Sequence, residues 1–338
     1  MSSALPRKPV TITLASGLYD RMQALYTGEA KTEGIDLKFI INDDPRAIFN
    51  RMSATQEFDV AEMSCSDYIA RLSVQKDKTP FIALPVYPAR CFRHGYITVD
   101  RRSGIRVPKD LEGKRIGLPR YTMTATVWIR GILEHEYGVD LSTIQWVEGQ
   151  INGSGHHGEP GVMPLVRDVP ITVNDTGKSL SQLIDERAID AIIGTSLPES
   201  RRHNPDVVRL FPDFRELEKE YYRRTRHFPI MHCIVMRRST YEAHPFIAES
   251  LYRAFCVSKQ VAIRHMRYIA IPRYMLPWMH DDLDEIDEVF GGDPFPYGLE
   301  AGRHNFEAFM QYMVEHGIIK TPLPVGGLFA DVGNTGLT

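Results

Sequence analysis

Long hydrophobic runs are missing from this 338-residue sequence. None approaches the roughly 20 apolar residues a bilayer-crossing helix requires, so no transmembrane helix is expected. An excess of one charge is missing too: 40 Lys and Arg stand against 43 Asp and Glu, a net −3, with no basic blocks. That balance argues against a nucleic-acid binder, whose affinity comes from clustered positive charge. Cysteine is scarce. Cys65, Cys91, Cys233 and Cys256 are scattered without a Cys-x-x-Cys pair, which suits reduced thiols rather than a disulfide framework or a structural zinc site. Internal repeats and low-complexity stretches are absent, which removes solenoids and propellers. The residues before Val10 carry no signal-peptide core. A soluble, cytoplasmic protein with no membrane partner is expected, and at 43% apolar and 25% charged residues it has the means for a packed core.

What is present is an alternation of strands and helices. Residues 10–14 read as a strand, 19–27 as a helix, and 34–40 alternate with the period of a half-buried strand. Asp44-Pro45 opens a helix with Ile48, Phe49 and Met52 along one side, and a short strand over 58–63 precedes a helix from Ser66-Asp67. A second unit opens near Gly104, with a turn and strand over 111–118, a loop over 119–126, and a helix over 128–137 stopped by Gly138. Residues 146–147, 171–173 and 188–193 supply further strands. The helix over 180–186 before the last of these gives a β-α-β rhythm that predicts parallel pairing. Residues 152–161, including His156 and His157, form a polar glycine-rich loop, read as a loop tip or lid and not as a metal motif. A strand over 230–236, a long helix over 244–267 and a helical C-terminal third with proline breaks complete the chain. That last third offers a surface for a homo-oligomer.

Asp110-Leu111-Glu112-Gly113-Lys114-Arg115-Ile116-Gly117-Leu118-Pro119 resembles the opening of the second lobe in the α/β, two-lobed type II periplasmic-binding-protein-like fold. Five further segments narrow the resemblance. They are Phe58-Asp59-Val60-Ala61-Glu62-Met63-Ser64, Arg90-Cys91-Phe92-Arg93-His94, the stretch from Pro119 to Leu133, Arg209-Leu210-Phe211-Pro212-Asp213 and Phe228-Pro229-Ile230-Met231-His232. Together they resemble the 4,5-dihydroxyphthalate decarboxylases, over residues 10–329. The resemblance implies a cytoplasmic lyase that releases CO2 from 4,5-dihydroxyphthalate to give protocatechuate in phthalate breakdown. It also implies interleaved lobes, 1–96 with 233–338 and 97–232, around a ligand cleft. Two other readings stay open on the same scaffold: a solute-binding receptor, and a sister enzyme acting on another aromatic polycarboxylate.

The residues themselves leave alternatives. Arg90, Arg93 and His94 surround Phe92 beside a lobe crossover; they form either a solvated basic turn or a clamp in which planar guanidinium groups grip a carboxylate. Tyr121 and Thr124 precede a helix whose first N–H groups could hold a second carboxylate, or the threonines simply cap it. Arg130, in the first turns of that helix, is a cleft cation or a solvated residue. Glu62 and Ser64 lie at the C-terminal end of a strand, where doubly wound sheets bind ligands; Glu62 is the candidate for taking a catechol proton. His232, on the face of Ile230, Ile234 and Met236, is either a core histidine or an acid/base group, and it resembles a fixed histidine of the family. Tyr222 and His227 are weaker substrate-binding candidates. The expected reaction needs His232 or His94 to protonate a ring carbon and cations to hold a dianion, with no cofactor and no metal required.

Overall fold

The structure, a computed structural model, describes residues 8–155, 163–268, 270–271, 273–333 and 336. His156 and His157 lie outside the described residues. Thr11 and Thr13 alternate with buried Ile12 and Leu14 in β1 (Val10–Ser16), and α1 (Asp20–Tyr26) and β2 (Ile35–Ile41) follow. α2 (Pro45–Thr55) starts as its sequence dictates. Asp44 accepts the Arg46 N–H, Pro45 takes the first helical position, and Ile48, Phe49 and Met52 are buried. Next come β3 (Val60–Ser64), buried throughout, α3 (Cys65–Gln75) and β4 (Phe81–Arg90). The middle of the chain forms β5 (Ile97–Asp100), β6 (Arg115–Leu118), α4 (Thr124–Tyr137), β7 (Gln145–Glu148), β8 (Ile171–Val173), α5 (Leu180–Asp185), β9 (Ala191–Ile193), β10 (Val207–Arg209) and α6 (Phe214–Thr225). β11 (Ile230–Arg237), α7 (Arg238–Ala243), α8 (Phe246–Met266), α9 (Met279–Phe290) and α10 (Leu299–Glu315) end it.

The chain divides into two α/β units. The first holds the residues up to Arg90, Ile230–Phe306 and those from Leu323; the second holds Cys91–Pro229 and Glu307–Pro322. The sequence placed the breaks after residues 96 and 232, and kept the whole C-terminal third in the first lobe. The reassigned segment has a packing reason. Trp128 of α4 stacks on Phe309 with ring centroids 5.4 Å apart and meets Tyr312 edge-on at 5.7 Å.

The sheet of the first unit has the order β2-β1-β3-β11-β4. β1 runs parallel to β2 and β3, whereas β11 is antiparallel to both its neighbours. β4 is an edge strand, and this explains how Pro85 and Pro88 are tolerated within it. The second unit's sheet has the order β10-β5-β9-β6-β7-β8. β8 and β9 run parallel, as the β-α-β rhythm implies, with β6 and β7 between them. A buried cluster that includes Leu118, Ile129, Leu133, Trp146 and Ile193 fills one face of it. Among the described residues, no helix is long and apolar enough to cross a membrane.

Gly131 lets α4 approach α10 within the second unit. A Cβ there would lie 2.2 Å from Tyr312 Cδ2, near the base of a buried ring that has no room to retreat. Gly131→Ala is therefore expected to destabilise the protein by about 2 kcal/mol or more through overpacking, despite alanine's better helix propensity. Chemical denaturation of the two proteins checks this, and equal midpoints would contradict the close approach.

Candidate functional site

Strand register assembles one site in the first unit. β1 pairs with β3 so that Ala15 opposes Ala61, which sets Ser16 beside Glu62. On the other side of β3, Ile234 opposes Glu62 and His232 opposes Ser64. Glu62 and Ser64 are two residues apart, so they share a face of the sheet with His232. Ser16 Oγ donates to Glu62 Oε2 at 2.9 Å, and the Tyr19 hydroxyl lies 3.2 Å from both carboxylate oxygens. His232 Nδ1 is 2.6 Å from Oε1.

Tyr19 reaches this carboxylate because of Gly17. A Cβ on Gly17 would lie 2.8 Å from the Tyr19 ring, so only glycine leaves the ring room to fold back. Arg21 braces the other end of the arrangement, its guanidinium 4.5 Å from the Tyr19 ring centroid. Phe49 meets the His232 ring edge-on at 4.9 Å.

Burial alone would push the Glu62 pKa up. The hydrogen bond and charge of His232, with the Ser16 and Tyr19 hydroxyls, outweigh that and hold the carboxyl below its ordinary value. The Tyr19 phenol, buried beside that carboxylate, is pushed well above its usual range, so it stays a donor. The result is an ionised carboxylate that fixes the proton on His232 Nδ1 and leaves Nε2 for exchange. Glu62 is 0% exposed, whereas the His232 side chain is 21% exposed. Glu62, expected to bind a catechol hydroxyl or move its proton, is fully buried with its carboxylate against His232 Nδ1.

Two more expected residues lie in this unit. Ser64 Oγ is 3.2 Å from Ser66 Oγ. Arg90 is mostly buried, donates to the Pro296 carbonyl at 3.0 Å and lies over the Tyr87 ring. A separate cavity of about 410 Å³ is lined by α8, α9 and Phe295, and by neither Glu62 nor His232. Asp20–Arg21 and Lys259–Asp293 ion pairs already neutralise its charged walls, so it is poorly suited to a dicarboxylate.

The remaining candidates lie in the second unit. Arg130 is completely buried, and its role follows from that. It donates to the Tyr121 carbonyl at 2.8 Å, and its guanidinium carbon is 3.6 Å from the Tyr121 ring centroid. Burial pulls its pKa down to about 10, so it remains a cation, spent on shaping the turn before α4. Thr124 opens α4 and is buried, and Thr126 turns its hydroxyl onto the carbonyls of Arg120, Tyr121 and Met123. Arg93 is buried over the Tyr96 ring, and desolvation lowers its pKa. Tyr222 meets the Phe92 ring edge-on at 6.4 Å, and the His227 ring lies 6.1 Å from that of Tyr221.

His94 does not suit the proton-donor role expected for it. Its ring is 1% exposed among Tyr137, Phe211 and Tyr221, and burial pulls its pKa down to about 4. It is a neutral core imidazole at pH 7. Its neighbour Glu218 accepts the Gly95 N–H at 3.1 Å, and burial pushes its pKa up from the ordinary 4.5 to about 7. A carboxyl raised on folding costs stability as pH climbs from its unfolded to its folded pKa. Glu218→Gln should therefore match wild type near pH 4 and gain about 3 kcal/mol relative to it by pH 8. Denaturation midpoints across that range check this, and a gap that does not vary with pH would contradict it.

The 4,5-dihydroxyphthalate decarboxylase of Comamonas testosteroni is 35% identical over 319 residues, covering 94% of this chain and 96% of that protein. The chain belongs to the 4,5-dihydroxyphthalate decarboxylase family. A Pseudomonas putida decarboxylase of the same name is 33% identical over 225 residues, 65% of this chain and 86% of that one. No protein-family model matches the chain. Among solved structures, the periplasmic aliphatic sulphonate binding protein of Escherichia coli aligns with a TM-score of 0.54 at 10% identity, covering 96% of this chain and 98% of that one. This member of the decarboxylase family is therefore built on the two-lobed periplasmic-binding-protein fold.

Ser16 and Tyr19 were missed from the sequence. Ser16 ends β1 and Tyr19 follows it, 46 and 43 residues before Glu62, and only the β1–β3 register brings them to it. The available signal was Ser16-Gly17-Leu18-Tyr19 at a strand's C-terminal end, where ligands bind in such sheets.

Proposed function

We propose that this protein is a cytoplasmic carboxy-lyase that converts 4,5-dihydroxyphthalate into protocatechuate and CO2. The observation that carries the reading is the 2.6 Å contact between a fully buried, ionised Glu62 and the partly exposed His232. The activity named for both relatives supports it.

The substrate's chemistry matches such a pair. Each carboxyl is para to a hydroxyl. Loss of the hydroxyl proton to solvent pushes electron density onto the ring carbon that bears the carboxylate. That carbon takes a proton, and the C–C bond pair returns to the ring as CO2 leaves. Glu62 accepts from Nδ1 and orients His232, which in its protonated form gives its Nε2 proton to the ring carbon. The imidazole is then reloaded from water. Tyr19 and Ser16 hold Glu62 and so act as positioning residues. Arg90, in the same unit as His232, is assigned to a carboxylate, and Arg130 to supporting Tyr121.

Because the mechanism depends on a para hydroxyl, 4,5-dihydroxyphthalate should be turned over and phthalate should not. Protocatechuate formation measured by chromatography tests this. Binding of the dihydroxy compound without turnover would instead favour a receptor, and equal turnover of both compounds would remove the phenolate route.

A further inference from the structure

A second cluster of ligating side chains lies in the second unit, apart from the decarboxylation chemistry. Glu134 and His135, in the last turn of α4, and Glu315, at the end of α10, each bring one ligating atom within 4.8 Å of the others. His135 Nε2 is 2.7 Å from Glu315 Oε2, and the other Glu315 oxygen accepts from Gln311 at 2.9 Å. Three partly exposed carboxylate and imidazole groups on a surface are common enough without an ion. The independent observation here is His316. Its side chain is 2% exposed, its Nε2 has no hydrogen-bond partner among the described residues, and that atom points at Glu134 Oε2 from 3.5 Å.

The His316 tautomer shows its part. Arg130 Nη2 lies 3.4 Å from Nδ1, and a guanidinium has no acceptor, so Nδ1 accepts and Nε2 carries the hydrogen. His316 therefore presents an N–H to one oxygen of Glu134, the support that ligating carboxylates receive in built metal sites.

We propose that Glu134, His135 and Glu315 bind a divalent transition-metal ion of the zinc type, with His316 as the outer partner that orients Glu134. One imidazole and two carboxylates, with water in the remaining position, make a ligand set such an ion accepts. Zinc bonds of ~2.0–2.2 Å put tetrahedral ligand atoms ~3.3 Å apart, so the cluster closes on the ion by about an ångström or less. Such an ion takes only deprotonated ligand atoms, so affinity falls with acidification. The ion would tie the end of α4 to the end of α10, the helices that Gly131 already brings together.

The probe is Zn2+ alone, titrated by calorimetry into chelator-treated full-length protein, with wild type, His135→Ala and Glu315→Gln compared. Wild type should bind one ion, and either substitution should weaken binding at least thirtyfold. His135 is partly exposed, so its variant should keep the wild-type fold; circular dichroism checks that. His316→Asn should weaken binding about tenfold with the stoichiometry kept. Absence of saturable binding in wild type, or equal affinity in His135→Ala, would overturn the proposal; the latter would place the ion elsewhere, such as at His232.

Discussion

Replacing His232 with glutamine is expected to lower kcat for 4,5-dihydroxyphthalate by at least a hundredfold while substrate affinity stays within tenfold. General acid catalysis by a positioned side chain contributes typically ~10²–10⁴-fold, and Gln cannot deliver a proton from an imidazolium. The side chain is part-exposed and leans on Phe49 edge-on, so a glutamine of similar reach fits without opening the core. Binding should be spared because the imidazole acts on the ring carbon rather than on the carboxylates. Calorimetric titration beside steady-state kinetics separates the two quantities. Undiminished turnover would take His232 out of the mechanism.

The second large effect is expected from Glu62→Gln, and it tests a positioning role. The substitution keeps the shape but removes the carboxylate that accepts from His232 Nδ1 and fixes its tautomer. We expect kcat to fall by two to three orders of magnitude with KM within threefold, because a fully buried side chain makes no contact with substrate. Stability should move as well. Glu62 has a folded pKa below its ordinary value, so it contributes stability that is present above the unfolded pKa and lost as pH falls through the folded one. The variant should therefore be less stable than wild type at pH 7, with the gap closing below about pH 4. A variant that melts earlier but turns over at the wild-type rate would make Glu62 a purely structural group.

The local pieces of this molecule were legible in its sequence, and the long-range ones were not. Asp44-Pro45 announced α2, and Gly138, at φ +64°, stopped α4 as expected. β4 escaped notice because Pro85 and Pro88 argue against a strand, and only its place at the sheet edge permits them. The site divides the same way. Glu62 and His232 could be singled out by type and position, but their contact spans 170 residues and depends on how β11 registers against β3. His94, beside a lobe crossover, reads as a clamp member or proton donor, and Arg130, near a helix start, as a cleft cation or a solvated residue. Nothing local in the sequence shows that the first is walled in by Tyr137, Phe211 and Tyr221, or that the second is folded under Tyr121. The C-terminal segment 307–322 illustrates the point at the scale of a unit: a glycine and a tryptophan on α4 decide where it packs.

The most direct measurement runs wild type and His232→Gln side by side on 4,5-dihydroxyphthalate after chelator treatment, following CO2 release, protocatechuate and bound substrate together. The account predicts turnover by wild type, and binding without turnover by the variant. Wild-type protein that binds the compound and releases no CO2, with or without added divalent ion, would contradict it.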